Sequence, residues 1–311
     1  MTVSKQDTDR RVGTVVIREP VSTVLRESAA TPLVALDGGW FLMGSDDSYI
    51  YEEDGEGPVR RVRVEPFYLS ACCVSNEQFV AFVDATDYVT EAERVGWSLV
   101  FSGLLPPNFR PTAAVAGAEW WRKVPGAYWR RPEGWHATID GRQNHPVVHI
   151  SWRDARAYCR WAGTRLPSEA EWEFAARGGL EGRHFPWGDT LRPNGEHRMN
   201  IWQGLFPVHN TLSDGYLATA PVTAYPPNRF GLFNMTGNVW EWTSDLYSRT
   251  AYRDGPYMSP AGPVHGRRKV LRGGSYLCHA SYCYRYRVSA RIGKEPGYGA
   301  GDVGFRCARS V

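Results

Sequence analysis

The chain has 311 residues, 42% of them hydrophobic, and its 36 basic and 33 acidic side chains leave a net charge of +3. So small a charge does not favour nucleic acid or a membrane surface as a partner, and no apolar run approaches the roughly 20 residues of a membrane span. The lack of a signal-peptide pattern and the uneven spacing of six cysteines predict a cytoplasmic protein without a disulfide scaffold. A monomer is expected because no heptad pattern is present.

The first predicted elements are strands. Residues 1–30 are polar and weakly patterned, and we interpret them as a flexible N-terminal arm. The apolar residues from Leu33 to Met43 and the alternating pattern from Val59 to Leu69 then indicate two strands.

Three short helices with the same N-terminal chemistry are predicted next. In each, a serine precedes a Gln, Asp or Glu by three positions, which is typical of a capping box; the pairs are Ser75 and Gln78, Ser151 and Asp154, and Ser168 and Glu171. The third helix begins with the alternating carboxylates Glu169, Glu171 and Glu173. We attribute these to the helix macrodipole, in preference to paired acid and base catalysis.

Few helix or strand patterns follow Gly179 until about Val270, and so long a segment is rare unless it is functional or held by ligands. Two of its clusters, at residues 200–216 and 231–242, are rich in Asn, Asp, Gly and a single Glu. Such oxygen donors suit Ca²⁺, but they are equally typical of Asx turns. The residues alone leave both interpretations open.

The segment Arg272–Arg287 contains the most informative residues of the chain. Cys278 and Cys283 stand there among hydroxyl, aromatic and cationic neighbours, which favour a thiolate that acts as a nucleophile, a redox group or a soft-metal ligand. A five-residue offset would separate the thiols on a straight strand or helix, so shared chemistry requires a bend between His279 and Tyr282. A structural zinc site needs four ligands, whereas His279 and the cysteines offer at most three, so Cu(I) fits better. A local disulfide or two unrelated cysteines remain open.

Several motifs resemble the formylglycine-generating enzyme domain over residues 33 to 309. They are Arg165–Gly179, Pro186–Asp189, Gly237–Trp242, Leu271–Ser275 and Gly304–Arg306, and the more specific mark is the stretch Gly273–Arg287 with its cysteine pair. The resemblance implies an α+β fold of the C-type-lectin-like type, with a single domain over residues 31–311 and low regular secondary structure.

The resemblance also implies an activity, the oxidation by O₂ of a cysteine in a sulfatase Cys-x-Pro-x-Arg motif to Cα-formylglycine, with a thiol reductant. It places Cu(I) on Cys278 and Cys283 and one Ca²⁺ in each oxygen-rich cluster. The implied calcium ligands are Asn200, Ile201, Asp214 and Tyr216 in the first cluster, and Asn234, Gly237, Val239 and Glu241 in the second.

Four neighbours of the cysteines have implied supporting roles. Ser275 and Tyr282 are placed to hydrogen-bond reduced oxygen or the substrate thiolate, Trp240 to wall the site, and Arg285 to support negative charge. A non-catalytic, calcium-stabilised C-type-lectin-like module that binds a peptide or partner is the first alternative. A metal-free thiol–disulfide enzyme is the second, although its usual two-residue cysteine spacing is absent.

The remaining cysteines bear on disulfides. Animal members of the family carry two bridges; Cys159 and Cys307 match one pair, and Ala176 and Val288 occupy the positions of the other. A cytoplasmic setting leaves the remaining bridge open.

Overall fold

The computed structural model describes residues 32–311, so the predicted N-terminal arm lies outside the described residues. Its strands are short. In chain order they are β1 Leu33–Leu36, β2 Gly39–Met43, β3 Arg60–Val64, β4 Phe67–Ser70, β5 Trp97–Phe101, β6 Ala114–Val115, β7 Ala118–Pro125, β8 Gly204–Leu205, β9 His209–Asn210, β10 Trp240–Leu246, β11 Lys269–Arg272, β12 Arg291–Lys294, β13 Val303–Gly304 and β14 Ala308–Ser310.

The helices are α1 Asn76–Thr86, α2 Glu91–Val95, α3 Trp152–Trp161, α4 Glu169–Arg177 and α5 Ala251–Asp254, with 3₁₀ turns at Glu52–Asp54, Ser102–Leu104 and Pro193–Gly195. All three predicted capping boxes are confirmed, at the first residues of α1, α3 and α4. A fourth box, between Thr90 and Glu93, opens α2 and was not predicted. Helix α4 ends where Gly178 adopts a left-handed conformation.

Each of the two predicted strands is broken in the structure. The first divides into β1 and β2 at Gly38, whose φ is +66° and where a Cβ would lie 2.4 Å from the carbonyl oxygen of Val64. Only glycine fits so close an approach in that conformation. The strands then join different sheets: β4 lies between β1 and β14, and β2 pairs with β3.

A four-stranded sheet in the order β12-β11-β10-β13 positions the cysteine segment. Strand β10 pairs antiparallel with β11 and parallel with β13, and β11 leads directly into Gly273 and Ser275. The structure has few elements between Gly179 and Val270, as expected, but the seven-residue strand β10 was not identified from the sequence. Its pattern was concealed because buried positions of this strand carry the charged residues Glu241 and Asp245.

Buried ion pairs join α4 to this sheet and give Glu169 and Glu173 partners that the sequence did not indicate. Glu169 accepts hydrogen bonds from Arg272 and Arg291, and Glu173 from Arg177 and Arg272, with all five side chains almost fully buried. Both carboxylates have lowered pKa values because the arginine charges outweigh the cost of burial. They are therefore charged partners of buried arginines, an environment that does not favour acid catalysis.

Among residues 32–311, no helix is long and apolar enough to cross a membrane.

Candidate active site

The two cysteines of the Arg272–Arg287 segment meet in the core. Their Sγ atoms are 2.7 Å apart, and Cys278 is 2% and Cys283 7% exposed. The amide of Cys283 donates to the carbonyl of His279 at 2.7 Å, and that of Tyr282 donates to the same oxygen at 2.9 Å. This turn is the bend that shared chemistry requires, so that prediction is confirmed.

The two thiols have different protonation properties. Burial raises the pKa of Cys278, whereas the hydrogen bond from Cys278, followed by the charge of Arg285, lowers the pKa of Cys283. The pair therefore favours a proton on Cys278 and a thiolate on Cys283, and a thiolate is the form that attacks or binds metal.

Ser275 touches both the cysteine pair and a buried carboxylate. Its backbone amide lies 3.4 Å from Cys278 Sγ, and its hydroxyl donates to Asp302 Oδ2 at 2.8 Å. Asp302 is 5% exposed, and burial raises its pKa to about 6. Sequence reasoning missed Asp302, because it lies 17 or more positions from the predicted site residues in no recognisable spacing.

A cavity of about 430 Å³ opens beside Cys283 and brings together most of the predicted supporting residues. Its lining includes Trp240, Tyr282, Arg285 and Asp302 as well as Cys283. Further lining residues that were not predicted are Trp121, Lys294 and Tyr298.

Aromatic rings hold Tyr282 at the mouth of this cavity. Its ring stacks on Phe206 at 4.4 Å with an angle of 2° between planes, and meets Trp120 edge-on at 4.8 Å. Tyr282 is 39% exposed while Trp240 is 6% exposed, so Tyr282 faces the opening and Trp240 forms part of the buried wall. Phe206 comes from the hairpin of β8 and β9, which no sequence pattern connected to the cysteines.

Arg285 is held by the loop that precedes β3. Its Nε donates to Asp54 Oδ2 at 2.5 Å, and its guanidinium lies over the ring of Tyr51 at 3.8 Å. Arg285 belongs to no strand. The ion pair and the ring fix its charge close to Cys283.

A zinc site at the cysteine pair was disfavoured from the sequence because His279 and the two cysteines offer too few ligands. His279 is hydrogen-bonded to Ser281 at 2.8 Å, and the described part of the chain contains no group of three or more His, Cys, Asp or Glu side chains that could hold a metal ion. A metal on the cysteine pair would therefore have two protein ligands and open coordination positions.

All six cysteines fall within the described range, and none of them forms a disulfide there. Cys159 and Cys307 lie with their sulfurs 3.7 Å apart in the core.

The two oxygen-rich clusters lie against each other. The amide of Asn238 donates to the carbonyl of Asn200 at 2.8 Å, and a Cβ on Gly237 would lie 2.6 Å from the same oxygen. Asn200 Oδ1 and Asn234 Oδ1 are both buried and have no hydrogen-bond partner within residues 32–311. Buried amide oxygens without partners are costly, and a hard cation would satisfy them.

The other predicted calcium ligands differ in how many hydrogen bonds their oxygen atoms already accept. Asp214 accepts hydrogen bonds from the amides of Ile201 and Tyr216, at 3.2 Å each, so these three residues already cluster. Glu241 instead has all of its roughly four acceptor sites taken. Arg306 donates to both oxygens, and Trp172 Nε1 and the Cys73 thiol donate to one each. In this arrangement the Glu241 side chain is an ion-pair partner of Arg306, and its assignment as a calcium ligand stays a prediction.

Comparisons with known proteins show which family the chain resembles. Residues 20–311 match the family described as "Sulfatase-modifying factor enzyme 1-like domain". A formylglycine-generating enzyme of Thermomonospora curvata is 54% identical over 286 residues, which cover 91% of this chain and 94% of the relative. The mouse inactive C-alpha-formylglycine-generating enzyme 2 is 45% identical over 283 residues, 90% of this chain and 86% of the relative.

Among solved structures, PvdO from Pseudomonas aeruginosa aligns with a TM-score of 0.65 and 25% identity, covering 91% of this chain and 95% of PvdO. The expected mixture of helix and strand with low regular content is confirmed by this likeness and by the short elements described above. The chain belongs to the family of sulfatase-modifying factor enzyme 1-like domains.

Proposed function

We propose that this protein converts the cysteine of a Cys-x-Pro-x-Arg segment in a sulfatase to Cα-formylglycine. The observation that carries the proposal is the buried thiol pair, Cys278 and Cys283, beside a cavity of about 430 Å³. The high identity to the Thermomonospora formylglycine-generating enzyme supports it. The reaction balances when O₂, the substrate cysteine and a pair of reductant thiols yield the aldehyde, sulfide, a disulfide and water.

Cu(I) is the metal that the cysteine pair fits. Thiolates are soft ligands that select Cu(I), and the hydrogen bond with Cys278 lowers the pKa of Cys283, which favours its thiolate form. When bound, Cu(I) would supply the redox activation of O₂ and an open position for the substrate thiolate.

The chain's own residues orient the substrate and keep the site dry. Trp240 and Tyr282 line the cavity with aromatic surface, which excludes water from the reacting sulfur. Arg285 stabilises the thiolate of Cys283 by its charge. Ser275 fixes the sulfur of Cys278 through its backbone amide.

Ca²⁺ is proposed as a structural ion in the two oxygen-rich clusters. The unpartnered Oδ1 atoms of Asn200 and Asn234 support this proposal, as does the clustering of Asp214 with Ile201 and Tyr216. In the second cluster the proposed donors are Asn234, Gly237, Val239 and Glu241, the last of which is also bound to Arg306.

A non-catalytic module that binds a peptide or partner is the second candidate, and the 45% identity to the inactive mouse relative favours it. A binding module needs neither two buried thiols 2.7 Å apart nor a lowered pKa on one of them, so the cysteine pair favours the oxidase.

The test is mass spectrometry of a Cys-x-Pro-x-Arg peptide incubated with the Cu(I)-loaded protein, O₂ and a thiol reductant. We expect conversion of the peptide cysteine to an aldehyde, and its loss in Cys278→Ser and without copper. Cys159→Ser is the matched control, because Cys159 is a buried thiol in a second close pair outside the cavity.

Cu(I) titration of the same variants separates the alternatives. A metal-free thiol–disulfide enzyme would bind no stoichiometric Cu(I) at Cys278 and Cys283. A folded protein that binds Cu(I) and the peptide without forming aldehyde would contradict the oxidase and support the binding module.

A further inference from the structure

The function proposed above leaves one buried ionisable group of the cavity without a role. Asp302 contributes to the cavity lining together with Cys283 and Tyr282, and it is 5% exposed. Its two carboxylate oxygens have different environments. Oδ2 accepts the hydroxyl proton of Ser275 at 2.8 Å, whereas Oδ1 is buried and has no hydrogen-bond partner among the described residues.

Within residues 32–311, one other carboxylate oxygen is buried without a hydrogen-bond partner, Oε2 of Glu91, whose side chain is 21% exposed and lines a cavity without the cysteines. Glu169 and Glu173 are bound to arginines, and Asp245 accepts from the amides of Glu169 and Gly262 through its two separate oxygens. Leaving a buried carboxylate oxygen unpaired is costly. Such a group is a candidate for a catalytic role when it also lies in a cavity.

Ser275 connects Asp302 to the cysteine pair. The serine hydroxyl binds Asp302, and its backbone amide contacts Cys278 Sγ at 3.4 Å. The carboxylate is thus held one residue away from the sulfur atoms that would bind the substrate thiol.

We propose that Asp302 is a catalytic residue, whose free Oδ1 accepts the proton of the substrate cysteine thiol as that thiol enters the cavity. The S–H bond breaks with its electron pair left on sulfur, and the proton forms a new O–H bond on the carboxyl group. The substrate then reaches Cys278 and Cys283 as a thiolate. This inference rests on the proposed function and adds the proton acceptor that its first step needs.

The surroundings set the proton affinity of Asp302. Burial raises its pKa to about 6, close to the value at which a general base works best near neutral pH. Lys294 is the cation whose charge opposes this rise. The other titratable groups that interact with the carboxylate are Tyr276, Cys278, Tyr282 and Tyr298.

The test is the pH profile of formylglycine formation by Asp302→Asn, which keeps the shape of the side chain and removes the base. We expect kcat/KM at pH 7 to fall on the order of 10²-fold, a typical loss for a general base. The variant should recover as the pH approaches about 8.5, where a free thiol ionises without help. The wild type should instead lose activity below about pH 6.

Asp245→Asn is the matched control, since Asp245 is also buried, also has a pKa raised to about 6, and does not line the cavity. It should retain the wild-type profile. Cu(I) titration and thermal melting check that Asp302→Asn folds and binds metal.

Three results would overturn the assignment: a wild-type rate for Asp302→Asn at pH 7, an equal loss at every pH, or the same loss in Asp245→Asn. If Asp302→Asn does not fold, a wild-type kcat/KM that stays constant from pH 7 to pH 5 overturns it as well. Absence of aldehyde even with the wild type contradicts the proposed function instead, so the two failures are distinguishable.

Discussion

The buried ion pair between Glu56 and Arg287 is expected to dominate the stability of the cysteine segment. Arg287 donates to both oxygens of Glu56, at 2.7 and 2.8 Å, and to the carbonyl of Tyr284 at 2.8 Å. Glu56 is 0% and Arg287 1% exposed. Arg287→Met would leave a buried carboxylate without its counter-charge, which costs about 3–5 kcal/mol.

A loss of that size should lower the melting temperature by on the order of 10 °C in a protein of this length. Urea denaturation of the wild type and the variant at pH 7.5 measures the free energy of unfolding directly. Arg63→Met is the matched control, because Arg63 pairs with Glu65 at 3.6 Å with both side chains about half exposed. An exposed pair of this kind contributes at most about 1 kcal/mol.

A second substitution tests the reason for the loss. In the Arg287→Met background, Glu56→Gln removes the unpaired charge, so part of the lost stability should return. If Arg287→Met is no more damaging than Arg63→Met, or if Glu56→Gln restores nothing, the argument from buried charge is wrong.

Further predictions concern the asparagine loops and pH. Gly237→Ala should lower the free energy of unfolding by about 3 kcal/mol, because its Cβ would lie 2.6 Å from the carbonyl oxygen of Asn200 at a φ of +73°. Gly141→Ala is the control: Gly141 has a φ of +76° but open space around it, so the loss should be about 1 kcal/mol. Urea denaturation measures both losses. Ca²⁺ at 100 times its Kd should add about 2.7 kcal/mol of stability, and calorimetry should show much weaker Ca²⁺ binding by Asp214→Asn. The pKa of Asp245 is raised from 3.8 to about 6, so its ionisation destabilises the fold progressively from about pH 4 to pH 6. Relative to Asp245→Asn, the wild type should lose about 3 kcal/mol across that window, and parallel denaturation curves would contradict this.

Features that depend on residues close together in the chain could be predicted from the sequence. The capping boxes at Ser75, Ser151 and Ser168 depend on residues three positions apart, and all three form as expected. The bend between Cys278 and Cys283 followed from a short spacing in the same way. Such features need no knowledge of distant parts of the chain.

Long-range pairing could not be predicted from one sequence. Glu241 appeared to be a free oxygen donor until the fold placed Arg306, 65 residues away, against it. A role for Asp302 became apparent only from its hydrogen bond with Ser275, which lies 27 residues earlier in the chain. In both cases the chemistry of the side chain is decided by a partner that no periodicity or local motif specifies.

The irregular segment from Gly179 to Lys269 was expected to need ligands, but its own amide side chains supply much of the cohesion. Asn228 donates to the carbonyl of Ala175 in α4 and accepts from the amide of Leu232. Asn238 both donates to and accepts from the backbone of Ala220. Side-chain amides therefore replace the backbone ladder that a strand or helix would have provided.

The asparagine loops and the cysteine segment are held by different contacts, and this difference predicts which of them depends on calcium. The unpartnered oxygens of the oxygen-rich clusters belong to the asparagine loops, whereas Arg285 and Arg287 tie the cysteine segment to Asp54 and Glu56. Chelation of Ca²⁺ should therefore increase hydrogen exchange in residues 200–216 and 231–238 while the amide of Cys283 stays protected. Equal loosening of both regions would mean that the ion pairs do not hold the cysteine segment independently of the metal.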